Sequence, residues 1–163
     1  MGAEAPIIDT TEKTAESEHG MLSKIKASKS TKMKTDTSLY NSMDKAVLEL
    51  GQGRFKAYSK WLIVLSDTVN IDKVNGNDPA GLISNMTQLD DFNLAFIDTA
   101  DMPPKWKPQN QYWPTWAANL KKMIGGVKDK GAISVHIEAD NLAKIDEAFE
   151  SVAALMDTGG AAA

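Results

Sequence analysis

The chain has 163 residues, 42% of them hydrophobic and 25% charged, with a formal net charge of -4 and no cysteine. That length suits one domain with a sizeable core, and without cysteine there are no disulfides, thiolate nucleophiles or cysteine-held zinc or iron–sulfur sites. The acidic balance weighs against a nucleic-acid binder, which needs a basic face for phosphates, and no apolar run approaches the ~20 residues of a transmembrane segment.

Residues 1–34 differ from the rest. Glu4, Asp9, Glu12, Glu16 and Glu18 dominate the first part, and Lys24, Lys26, Lys29, Lys32 and Lys34 the second. Apolar residues are sparse, so the segment can bury little surface against its ordering entropy. It is expected to be a disordered or loosely helical tail. Its lysine run offers a contact to an anionic partner or membrane surface, although a solvated tail is the simpler reading. No apolar core of the signal-peptide type opens the chain. A cytoplasmic setting is therefore expected.

Order is expected from residue 35 to 156. Leu39, Met43, Val47 and Leu50 recur at helical spacing. Thr37 or Ser38 can cap that helix, and Gly51 and Gly53 stop it. Residues 61–65, Trp-Leu-Ile-Val-Leu, read as a strand buried on both faces. Asp78 is the expected cap of a second helix that starts at Pro79 and turns Leu82, Met86 and Leu89 inward.

Residues 92–97 form the second strand, followed by a proline- and tryptophan-rich loop at 102–114. Trp116, Leu120, Met123 and Val127 mark a third helix that ends near Gly125-Gly126. Residues 132–137 form the third strand. Asp140 is expected to cap a last helix that turns Leu142, Ile145, Phe149, Val152 and Met156 inward. Residues 157–163 are expected to be a frayed tail.

Strict alternation of helices and apolar strands implies an α/β fold. It is three-layered, with a mostly parallel sheet, helices on both faces and right-handed crossovers. Three strands make a small or truncated sheet. Either the tail adds strands, or an edge lies open and needs a partner.

Asp67 follows the first strand and Asp98 the second. In parallel α/β sheets ligands bind beyond the carboxyl ends of strands, so both stand where a site is expected. As a pair they are candidates for acid–base or metal chemistry, although aspartate is common after strands as a turn or cap residue. Gly51-Gln52-Gly53-Arg54 follows a helix, the wrong context for a phosphate loop. His19 and His136 are the chain's histidines, and His136 on a strand reads as a packed or surface residue. Asn85-Met86-Thr87 matches a glycosylation acceptor, but Met86 faces the core. In the 102–114 loop, Trp106, Tyr112 and Trp113 between prolines make a stiff aromatic surface suited to binding a protein partner. Alternatively, the rings fold back over the sheet.

Asp36-Thr37-Ser38-Leu39-Tyr40-Asn41-Ser42-Met43 and Lys60-Trp61-Leu62-Ile63-Val64-Leu65-Ser66-Asp67 together resemble the von Willebrand factor type A domain. That family opens a helix on Thr-x-Leu-Tyr and ends the next strand on Thr-Asp-Gly. The strand and helix at 131–156, with Ala139-Asp140-Asn141-Leu142 and Ala148-Phe149, resemble the family's closing elements. The resemblance spans about residues 35–156, the last two-thirds of such a domain. It implies a divalent-cation site of the family's adhesion type, with Thr37 and Asp67 as ligands. Mg²⁺ or Ca²⁺ would suit those oxygens.

The family's Asp-x-Ser-x-Ser loop does not occur in the chain, and Thr68 follows Asp67 in place of glycine. Ser28-Lys29-Ser30 has Lys26 at the aspartate position, and Asp9-Thr10-Thr11 has Lys13 at the last serine. The opening of the domain is thus expected to be lost or replaced, and the metal site degenerate. The reading that follows is a protein–protein interaction module rather than an enzyme, with possible help from a cation. The alternatives are a small Rossmann-like enzyme using Asp67 and Asp98, and a domain fragment without a function of its own.

Overall fold

A computed structural model describes residues 39–67, 78–99 and 113–161, without the side chains of residues 113 and 159–161. The expectations for residues 1–34, Thr37, Trp106 and Tyr112 lie outside the described residues, as does the side chain of Trp113.

Helix α1, Leu39–Leu50, buries Leu39, Tyr40, Met43, Ala46 and Val47. Gly51 closes it by donating its N–H to the Val47 carbonyl at 3.0 Å. A single 3₁₀ turn, Gly53–Phe55, leads towards strand β1, Lys60–Ser66. Helix α2, Ala80–Gln88, follows. Pro79, not Asp78, is its N-cap and Ala80 rather than Pro79 its first helical residue; Asp78 stands one residue earlier, its Oδ1 accepting from the Ala80 N–H at 3.0 Å.

Strand β2, Phe92–Asp98, is buried at every position. Helix α3, Trp113–Lys128, starts inside the expected loop, so the Trp113 and Pro114 backbone is helical. Proline fits the first turn of a helix, where its missing N–H is not needed. Strand β3 is Ser134–Glu138 and helix α4 Leu142–Ala161.

Three expectations for α4 are corrected. Asn141, not Asp140, caps it: Asn141 Oδ1 accepts from the Lys144 N–H at 2.9 Å. Asp140 instead pairs with the Lys144 ammonium at 2.8 Å, which holds its carboxyl below the usual range. Leu142 is exposed rather than inward. The helix also runs on through 157–161, the stretch expected to fray.

The sheet is parallel in the order β1-β2-β3, with Ser66 opposite Asp98 and Asp98 opposite Glu138. Successive side chains alternate between its faces. Leu62 and Val64 of β1 and Phe92, Leu94 and Phe96 of β2 pack under α1, α2 and α3 through Leu82, Met86, Leu120, Met123 and Val127. On the other face Ile63, Leu65, Ile97 and Ile137 meet Ile145, Ala148 and Phe149 of α4. The fold is therefore the expected three-layer α/β arrangement with a small parallel sheet. Helices α2 and α3 share a face because both crossovers step along the sheet in the same direction.

Candidate functional site

The parallel register makes all three strands end on a common line. Beyond the last paired residues the ladder continues: Thr99 N–H donates to the Ser66 carbonyl and Ala139 N–H to the Asp98 carbonyl, both at 2.8 Å. The carboxyl rim therefore carries Ser66 and Asp67 from β1, Asp98 and Thr99 from β2, and Glu138 from β3. This is the edge at which parallel α/β sheets place ligands.

On β3, His136 and Glu138 are two residues apart, so both side chains project from the α1–α3 face. Asp98, in register with Glu138, projects from the same face. His136 Nε2 lies 3.1 Å from Asp98 Oδ2, with the Asp98 side chain 8% exposed and the His136 side chain 33%. The imidazole meets the Phe96 ring edge to face, centroids 6.4 Å apart at 78°. The hydrogen bond to Asp98 pushes the His136 pKa above its ordinary value. Burial opposes this, and the Asp98 and Glu138 charges add to it. One ligating atom each from Asp98, His136 and Glu138 lies within 4.8 Å of the other two.

With this site in view, comparisons with known protein families, curated proteins and solved structures find no match.

Asp67 stands at the rim, partly buried, immediately after β1. The register puts Ser66, not Asp67, opposite Asp98. Among the described residues, no group of three carboxylates or imidazoles includes Asp67. Of the ligands implied by the family resemblance, Asp67 alone is described. One carboxylate does not by itself fit Mg²⁺ or Ca²⁺, which take six or more oxygens. No binding step is therefore routed through a cation there.

Sequence reasoning placed Asp98 at a strand end but missed Glu138 and the pairing of His136 with Asp98. The signal was present in the His136-x-Glu138 spacing, because alternate residues of a strand share a face. What the spacing does not contain is the register that brings Asp98 across from them. In the tautomer with its proton on Nε2, His136 donates to Asp98 and keeps a lone pair on Nδ1. The arrangement can thus orient an imidazole base, or supply one nitrogen and two carboxylates to a cation.

The glycosylation pattern at Asn85 is accounted for by packing. Asn85 Nδ2 donates to Asp44 Oδ1 at 2.7 Å, tying α2 to α1, and Met86 is fully buried.

Proposed function

We propose that this chain is a protein-interaction module of the von Willebrand A type, which docks its partner on the carboxyl rim of the sheet. The observation that carries the reading is the common rim, where Ser66, Asp98 and Glu138 lie in register and Asp67 follows Ser66 directly. Two features support the family assignment. Leu39-Tyr40 opens α1, and Ser66-Asp67 closes the strand that follows, as in the motifs that carry the resemblance.

The aromatic segment fits the same reading. In sequence it joins Thr99, at the rim, to the start of α3. Trp106, Tyr112 and Trp113 are the residue types that anchor interface hot spots.

The test is quantitative capture on immobilised full chain, comparing wild type with Asp67→Ala and with Trp106→Ala/Tyr112→Ala. The expected result is a protein retained by wild type and lost by both variants, with circular dichroism and melting temperature unchanged. Equal retention by all three would overturn the reading. If Mg²⁺ or Ca²⁺ assists at Thr37 and Asp67, capture needs millimolar free cation and fails in EDTA. Capture that survives EDTA removes the cation from the proposal.

A second reading, a small acid–base enzyme at the strand ends, is favoured by the contact between the buried Asp98 carboxylate and the His136 imidazole. Such a dyad can hold an imidazole in the tautomer a general base needs. Turnover found in a substrate screen and abolished by His136→Ala would support it. Turnover unaffected by Asp98→Ala and His136→Ala would remove it.

A further inference from the structure

The face of β3 on the α1–α3 side is polar along its whole length: Ser134, His136 and Glu138 alternate with Val135 and Ile137, and Ile137 packs in the cluster with α4. An edge strand gains no packing from two ionisable groups on that face. Yet Asp98 of the fully buried central strand is aimed at them, its side chain 8% exposed. Burying a carboxylate costs free energy that hydrogen bonds, a positive charge or a metal ion can offset.

His136 supplies part of that compensation when protonated. When it is neutral, the buried Asp98 and the exposed Glu138 stand within reach of each other at the rim. Glu138 has no ion pair among the described residues. A divalent cation would neutralise both acids at once.

The donor spacing suits a particular class of ion. Zinc bonds to imidazole nitrogen and carboxylate oxygen at about 2.0–2.2 Å in tetrahedral geometry, so its ligand atoms lie roughly 3.3 Å apart. The Asp98 Oδ2 to His136 Nε2 separation is 3.1 Å, close to that spacing. Glu138 is exposed at the strand end, and its flexible side chain can close the remaining gap. One imidazole among carboxylates favours zinc, nickel or cobalt over magnesium and calcium, which prefer oxygen alone.

From this convergence of Asp98, His136 and Glu138 at one rim, we propose that the chain binds a single borderline divalent cation, Zn²⁺ in the first instance. The proton now between Asp98 and His136 leaves, Nε2 and one oxygen of each carboxylate bond to the ion, and a water completes the fourth position. The site does not use Thr37 or Asp67, but it shares Asp98 and Glu138 with the rim of the interaction reading above.

The experiment is equilibrium dialysis and calorimetry of the full, chelator-stripped chain with ZnCl₂, followed by CoCl₂ as a spectroscopic probe. The expected result is one equivalent of Zn²⁺ bound at micromolar concentration, undisturbed by millimolar Mg²⁺. Co²⁺ should give the intense visible bands of a four-coordinate site. His136→Gln and Glu138→Gln should each weaken Zn²⁺ binding at least tenfold while the stripped proteins melt as wild type does. Asp98→Asn should do the same, but it is buried and can also lower stability, so the exposed pair decides the outcome. His19→Ala serves as the control for the chain's other histidine and should bind as wild type. Absence of Zn²⁺ binding would overturn the proposal. So would binding that survives His136→Gln and Glu138→Gln, or binding that is lost in His19→Ala.

Discussion

Asp98 and His136 occupy neighbouring parallel strands, and the buried Asp98 carboxylate holds the His136 imidazole at 3.1 Å. The contact exists because β2 runs one residue further at its carboxyl end than its apolar run. Phe96 and Ile97 complete the two cores, and the next residue, Asp98, is still in the ladder. Hydrogen bonding thus carries a charged residue into a buried position, and the neighbouring strand supplies its partner.

The pH dependence of the metal-free protein follows from that contact. The pKa of His136 is raised from 6.5, first by its hydrogen bond to Asp98. A group whose pKa is higher folded than unfolded binds its proton more tightly in the folded state. Its contribution is complete below the unfolded value of 6.5 and fades as pH rises through the raised value. In EDTA, the His136 imidazole should therefore titrate by NMR with a midpoint above 6.5. Chemical stability should fall across the same window. Asp98→Asn should bring the midpoint down and flatten the stability profile. A wild-type midpoint at or below 6.5 would contradict the contact.

The amino ends of the strands are held by a different polar residue. Asn93, buried in β2, donates through Nδ2 to Ser59 Oγ at 3.2 Å and to the Lys60 carbonyl at 3.3 Å. Its Oδ1 accepts from the Ile133 N–H at 3.0 Å, so one side chain joins the starts of all three strands. Asn93→Leu keeps the branching and the heavy-atom count of the side chain and strips the partners. A buried donor or acceptor left unsatisfied costs ~1–3 kcal/mol, so the variant should lose about 2 kcal/mol in urea unfolding. A loss within experimental error would show that water replaces the amide.

These residues also show how far the sequence can be read. The apolar runs at 61–65 and 92–97 locate β1 and β2 because a strand covered on both faces needs little polar alternation. Their edges are less legible. Asp98 and Ser66 join the ladder because the backbone continues to pair, which no side chain announces. The cap of α4 shifts from Asp140 to Asn141 for a similar reason. Both side chains can accept an N–H, and only the angle at which the chain leaves β3 decides which one reaches Lys144. The site was half legible. Asp98 stands out as a carboxylate after an apolar run, whereas His136 and Glu138 acquire meaning only once the register sets them beside it.

The core under α1–α3 should be sensitive to lost volume. Met86 is fully buried within the cluster that includes Val47, Phe96, Leu120 and Met123. Truncating such a side chain leaves a cavity whose walls relax only in part. Met86→Ala should cost ~2–5 kcal/mol, whereas Met86→Leu should cost less than ~1.5 kcal/mol. Equal losses in urea unfolding for the two variants would argue against close packing at this position.

Adjacent glycines in α3 should respond oppositely to the same substitution. Glycine inside a helix costs ~0.5–1 kcal/mol relative to alanine because its backbone loses more freedom on folding. A methyl at Gly125 would meet nothing within 4 Å, so Gly125→Ala should stabilise by about that amount. A methyl at Gly126 would lie 2.8 Å from Ile83 Cγ2 on α2. Because Cγ2 is attached directly to Cβ of a β-branched residue, it cannot swing away without leaving its rotamer. The resulting strain, ~1–3 kcal/mol for an overpacked contact, equals or exceeds the helix gain, so Gly126→Ala should be neutral to destabilising. Removing the obstacle reverses the sign: in an Ile83→Ala background, Gly126→Ala should stabilise much as Gly125→Ala does. A thermal-denaturation double-mutant cycle over positions 83 and 126 measures this coupling. Additive effects at the two positions would mean that α2 and α3 do not approach each other at this glycine.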